Sequence, residues 1–272
     1  MKHLFTLCLL LIAATGVTAQ TLKGTLKDAD TGEALPYVNI GVLNKNIGTV
    51  SGDDGSFTLT VPTGHSADTL RISTLGYANR DITVASAEKQ FAANPVIKLT
   101  PQAIQLQQVV VSNKTPKEKV LGNKTDSKNV SVGFTSNVLG NEIGMIMKLK
   151  KSPSQLKTFT ASLASDNNPK AKLRLNFYTV KKGRPDALIN TQNIIVTAPA
   201  TGSKIVVDLL PYNIMAEDDV FVSLEWLESF PQGLKFSAAL LATPMMARST
   251  SQGTWEKISM AGIGYTLTTI YW

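Results

Sequence analysis

Glu217, Asp218, Asp219, Glu225 and Glu228 form the densest acidic stretch of the chain. Two carboxylates about 5–10 Å apart across a cleft are the machinery of glycoside hydrolysis. Here three of them run together immediately before the apolar segment VFVSLEW. That arrangement reads more simply as an acidic turn entering a strand. Asp28, Asp30 and Glu33 suggest a calcium loop, which needs glycine at its sixth place and glutamate at its twelfth. Counted from Asp28, those places hold Glu33 and Asn39, so turn chemistry accounts for them better. Beyond the first few residues the only histidine is His65, in PTGHSAD. A zinc peptidase site needs two or three histidines, and a Ser-His-Asp triad would have to be built on this one. It is expected in a solvated turn. The single cysteine, Cys8, lies in the N-terminal apolar run, so the chain after it has no disulfide, thiol nucleophile or thiolate metal site. No catalytic residue, metal ligand or cofactor is assigned on these counts.

Aromatic residues are the better candidates for contact with a ligand. Trp226, Trp255, Tyr265, Tyr271 and Trp272 all fall in the second half. Indole rings dominate cores, but they also stack on sugar rings where they reach a surface. Trp255 lies in RSTSQGTWEK, among Arg248, Gln252 and Glu256. The candidate ligand-binding set is therefore Trp226, Trp255, Arg248, Gln252 and Glu256, with core packing of the tryptophans as the competing account.

Strands must position these residues. Apolar content is 43% and charged content 17% across 272 residues, outside the range of disordered chains. The first segment, with Lys2 and His3 before LFTLCLLLIAA, suits a secretory leader and is too short to span a bilayer. Cleavage is expected after Ala19, leaving no transmembrane span in the mature chain. Period-two alternation predicts strands at Thr21–Lys27, Tyr37–Leu43, Phe57–Val61, Thr69–Thr74, Asp81–Val84, Val96–Leu99 and Leu106–Val111. Residues 113–129, NKTPKEKVLGNKTDSKN, hold five lysines and few apolar residues, and read as a linker. Eight further strands are predicted beyond it, including Ala171–Val180, where Leu173, Leu175 and Phe177 oppose Lys172, Arg174, Asn176 and Tyr178. No stretch of 12 residues carries a helical stripe. The net charge of +7 is spread over lysines that alternate with apolar residues, as on the wet face of a strand, so no nucleic-acid partner is expected.

The predicted fold is all-β, in two domains. A leader covers 1–19, a seven-stranded β-sandwich 20–112, the linker 113–129, and a jelly-roll-like β-sandwich 130–272. The motifs LKGTLKDADTGEALPYVNIGVLNKNIGTVSGDDGSFTLTVP, DTLRISTLGY, VIKLTP and LQQVVV resemble the carboxypeptidase-regulatory-like domain, a transthyretin-like sandwich. That family is abundant in exported proteins of Bacteroidetes, often in front of TonB-dependent outer-membrane receptors. The resemblance covers about a third of the chain. It implies a periplasmic or outer-membrane address and no catalysis, since the zinc ligands of the carboxypeptidases are missing. The expected function is an exported, non-catalytic binding or adaptor protein of the cell envelope, whose partner is an envelope protein or a glycan. The alternatives are a carboxylate-dependent hydrolase of glycans or peptides, and a purely structural envelope protein.

Overall fold

Alternating apolar and polar side chains become strands through most of the chain. The computed structural model describes residues 19–103, 114–134, 138–228 and 233–272. The leader before residue 19 and the expected strand Leu106–Val111 lie outside them.

The first domain contains β1 (Gln20–Asp28), β2 (Asn39–Val42), β3 (Gly48–Val50), β4 (Ser56–Val61), β5 (Thr69–Ser73), β6 (Arg80–Thr83) and β7 (Val96–Leu99). Two sheets, β4-β1-β7 and β3-β2-β5-β6, pack face to face, with β7 parallel to β1. β4 shows the pattern plainly: Phe57, Leu59 and Val61 are buried and the residues between them exposed. They close on Leu22, Leu26, Ile40, Leu70, Ile72 and Ile97. Gly55 turns the chain into β4 at φ +76°, where a Cβ would lie 2.5 Å from the Leu26 carbonyl oxygen, so no larger residue fits this turn.

Among the described residues one α-helix departs from the all-strand expectation: α1 (Val84–Ala93) follows β6. Thr83 caps it, its hydroxyl accepting from the Ser86 amide at 3.2 Å. Its buried residues, Val84, Ala87 and Phe91, follow helical spacing. Ten residues are too few to show as a stripe over a window of 12.

The second domain runs from β8 (Lys117–Gly122), β9 (Ser131–Gly133), β10 (Glu142–Met147), β11 (Ser154–Ser162), β12 (Lys172–Lys181), β13 (Arg184–Leu188) and β14 (Ile194–Thr197). It continues through β15 (Lys204–Asp208), β16 (Met215–Ala216), β17 (Val220–Trp226), β18 (Lys235–Leu240) and β19 (Met245–Arg248). It ends with β20 (Glu256–Ile258), β21 (Ala261–Ile263) and β22 (Tyr265–Tyr271). A seven-stranded sheet, β13-β12-β17-β10-β19-β20 with β14 beside β12, faces a five-stranded sheet, β15-β11-β22-β8 with β16 beside β11. A small third sheet, β21-β18-β9, completes the sandwich. The core is aromatic: Phe159, Phe236 and Trp226 join through edge-on contacts of 5.2–6.2 Å that run by way of Tyr265.

The expected linker 113–129 is corrected here. Lys117–Gly122 is a true strand, paired with β22 from Tyr271↔Lys117 to Thr266↔Gly122. Backbone pairing and one buried side chain, Leu121, hold it, so low apolar content is no obstacle. Its lysines face water at a sheet edge, where charge discourages pairing with other chains.

Candidate functional site

On β12, Leu173, Leu175 and Phe177 point into the sandwich, and Arg174, Asn176 and Tyr178 point out. Register carries this division across four strands. Arg174 on β12 stands opposite Glu225 on β17, Glu225 opposite Glu142 on β10, and Glu142 opposite Arg248 on β19. The row reads plus, minus, minus, plus. Arg174 Nε donates to Glu225 Oε2 at 2.9 Å, and Arg248 pairs with Glu142 Oε2 at 2.5 Å. Asn176 Nδ2 donates to both carboxylates at 3.0 Å, and the hydroxyls of Ser223 and Tyr178 donate to Glu142 Oε1 at 2.5 and 3.0 Å.

Both carboxylates are 0% exposed. Burial would raise the carboxyl of Glu225, but the Arg174 and Arg248 guanidiniums outweigh it and hold the group below the ordinary carboxylate value. Burial and the nearby Glu142 push the Tyr178 phenol well above its usual value.

The outward face is sealed because the first domain docks on it. Arg174 also donates to the Tyr37 carbonyl at 2.9 Å and to Asn39 Oδ1 at 2.5 Å. Lys172 reaches the Tyr37 hydroxyl and Glu228, each at 2.5 Å. The segment from Arg248 to Trp255 lies along the β2–β3 hairpin. A Cβ on Gly41 or Gly48 would come within 2.4 or 2.3 Å of the Ser251 carbonyl oxygen, so this approach requires glycine at both places. Asn44 N donates to the Gln252 carbonyl, and Gln252 Nε2 to Ser73 Oγ, both at 3.0 Å. Tyr37, Asn44 and Gln252 all adopt positive φ without being glycine, a concentration of backbone strain at one junction.

Beside this junction lies an open cleft of about 410 Å³, within the size range of small-molecule sites. The first domain supplies Arg71, Ser73, Tyr77, Asn79 and Gln102; the second supplies Tyr178, Asn193, Arg248, Gln252 and Trp255. Tyr77 donates to Asp28 Oδ2 at 2.7 Å, and that bond holds its phenol up at about 12. Trp255 is half-buried, with the Arg248 guanidinium 4.9 Å from its ring centre and Phe221 edge-on at 4.9 Å.

Of the five candidate residues, Arg248, Gln252 and Trp255 line the cleft. Trp226 is corrected: it is 1% exposed and packs edge-on against Phe134 and Phe236, so no ligand can stack on it. Its position in VFVSLEW has the parity of Val222 and Leu224, which marks the inner face. Glu256 sits exposed on β20 and does not line the cleft. The acidic candidates do not converge. Glu217 is exposed, Glu225 belongs to the buried row, and Glu228 pairs with Lys172. Asp219 accepts the Leu149 amide at 3.0 Å, as a turn residue does. His65 pairs with Asp68 at 2.6 Å, and Asp28 accepts the amides of Asp30 and Thr31, closing its own turn. Among the described residues no cluster of three or more His, Cys, Asp or Glu could hold a metal ion. No described helix is long and apolar enough to cross a membrane.

The sequence reading missed Glu142, Arg174, Asn176 and Asn39. One signal was available: Glu225 is the sole charge in the largely apolar strand VFVSLEW, which marks a partner across the sheet.

A family model, the CarboxypepD_reg-like domain, matches residues 22–111. The chain carries a CarboxypepD_reg-like domain. It is the first sandwich described above, and the match covers about a third of the chain. No curated protein matches the sequence. Among solved structures, the chain is similar to the cysteine protease and lectin-like domains of Cwp84, a surface layer associated protein of Clostridium difficile. Identity is 9% and the TM-score 0.42, covering 93% of this chain and 58% of that one. It is also similar to infectious bursal disease virus, Gx strain, at 10% identity and a TM-score of 0.28, covering 94% of this chain and 71% of that one. The chain thus spans less than two thirds of the clostridial protein's solved length.

Proposed function

We propose that this protein is an exported, non-catalytic binding or adaptor module of the bacterial cell envelope, and that it holds its ligand in the cleft beside the domain junction. One observation carries the reading. The guanidiniums lining the cleft are already committed, Arg71 to Asp81 at 2.6 Å, Arg174 to Glu225 and Arg248 to Glu142, and the carboxylate left at the rim, Asp186, is exposed to solvent. A general acid or base must exchange a proton with its substrate. Glu142 and Glu225 are sealed and held by two guanidiniums, an amide and hydroxyls, which suits a structural network instead. Export is supported by the apolar N-terminal run with Val17 and Ala19 at the expected cleavage places.

Two measurements test this. Mass analysis of the protein from its native host should find Gln20 as the first residue and the protein in the envelope fraction. An unprocessed cytosolic chain would remove the export half. Incubation of the mature protein with peptide and oligosaccharide substrates, followed by mass spectrometry, should show no cleavage. Turnover abolished by a single carboxylate substitution would remove the non-catalytic half.

A further inference from the structure

Resting on the reading of the cleft as the binding site, we infer that its ligand is a neutral, hydroxyl-rich molecule, an uncharged saccharide unit gripped by both domains at once. Charge is the first argument. Three guanidiniums line the cleft, yet each is paired with a carboxylate. An anionic ligand would have to compete with bonds already made, and would also meet the exposed rim carboxylate of Asp186. Both lining phenols, Tyr77 and Tyr178, are held protonated by neighbouring carboxylates and by burial.

The other polar groups of the lining are of one kind. Asn79 and Gln102 are amides that both donate and accept, and Asn39, Asn193, Gln252 and Ser73, each partly used within the fold, keep further donors or acceptors of the same sort. Sugar hydroxyls also do both, whereas an extended peptide presents its backbone best to a sheet edge. Half-buried Trp255 and exposed Leu188 supply apolar surface for the C–H face of a ring.

The test is isothermal titration of the mature protein with three probe sets: neutral gluco-, manno- and chito-oligosaccharides, oligouronates, and a mixture of short peptides. Two variants accompany the wild type. Trp255→Ala removes the rim aromatic, and Asn79→Trp fills the cleft from an exposed position in its lining. Thermal melting of each variant checks that it is folded. The expected result is binding of a neutral saccharide that weakens at least about tenfold in both variants, the equivalent of 1.4 kcal/mol. Oligouronates or peptides that bind as tightly or more tightly, with loss in both variants, overturn the saccharide assignment but leave the binding cleft standing. No binding by any set, or binding that survives both variants, overturns the assignment and the cleft together.

Discussion

The two faces of the seven-stranded sheet are built from the same strands and are buried to similar depth, yet by opposite chemistry. The inner face presents Leu173, Leu175, Leu224, Trp226, Ile143 and Met145 to the sandwich core. The outer face presents Arg174, Asn176, Glu225, Ser223, Glu142 and Arg248 to the first domain. β17 shows the result most fully, since all seven of its residues are buried. An apolar face tolerates imperfect neighbours at the cost of a cavity. A buried polar face must pair every charge, so its geometry is tied to the partner that seals it. Arg174 makes this concrete: two of its bonds go to its own sheet and neighbouring strand, and two go to Tyr37 and Asn39 of the first domain.

The comparison can be broken by substitution. Glu225→Ala should be among the most damaging single changes, costing about 3–5 kcal/mol in denaturant unfolding, because it leaves the Arg174 guanidinium buried without its counter-charge. Trp226→Ala on the inner face should cost a similar amount, about 3–5 kcal/mol, through a cavity. The two faces then part company. Arg174→Met combined with Glu225→Leu should cost less than half of Glu225→Ala alone, since both ends of the pair are removed. An outer face open to water would instead show less than about 1 kcal/mol for Glu225→Ala.

Gly48→Ala should follow, at about 1–3 kcal/mol, because its new methyl meets the Ser251 carbonyl and forces the domains apart. Its effect should fall on the junction, read as faster amide exchange at Gln252 and Asn44, with the core strands unchanged.

Acid provides a graded test. Glu225 is held below the ordinary carboxylate value by Arg174 and Arg248 despite its burial. Its contribution is therefore complete above the unfolded value of about 4.3 and is lost as pH falls through the lower folded value. Melting temperature should be flat from pH 7 to about 5 on this account and fall below that, and Glu225→Gln should flatten the acid limb. An unchanged acid limb in that variant would detach Glu225 from the buried row. The smallest stability effect belongs to Trp255→Ala, about 1 kcal/mol for a half-buried indole against the Arg248 guanidinium.

The same contrast explains what could be read without coordinates. Alternation in KLRLNFYTV separates inward from outward residues, because a strand's side chains have a strict period of two. The parity of Trp226 with Val222 and Leu224 likewise shows its core position, although its residue type suggests a ligand platform. What no local pattern encodes is the cover on the outward face. Arg174 and Asn176 look like solvated residues until Tyr37 and Asn39, more than 130 positions away, close over them. β8 escaped notice because an edge strand needs one buried residue, and β19 because the short run MMAR does not alternate. The RSTSQGTWEK segment was legible as a polar loop with an aromatic, but not as the piece that rests against two glycines of the other domain.

Cysteine labelling tests the buried junction most directly, since the chain from Gln20 onward has no thiol of its own. Ser251 is 0% exposed against the β2–β3 hairpin, and Ser249, two residues away, is exposed. In the native mature protein, Ser249→Cys should react with a maleimide at the rate of a free thiol, and Ser251→Cys only as fast as the protein unfolds. Equal, rapid labelling at both positions would contradict a polar face sealed by the first domain.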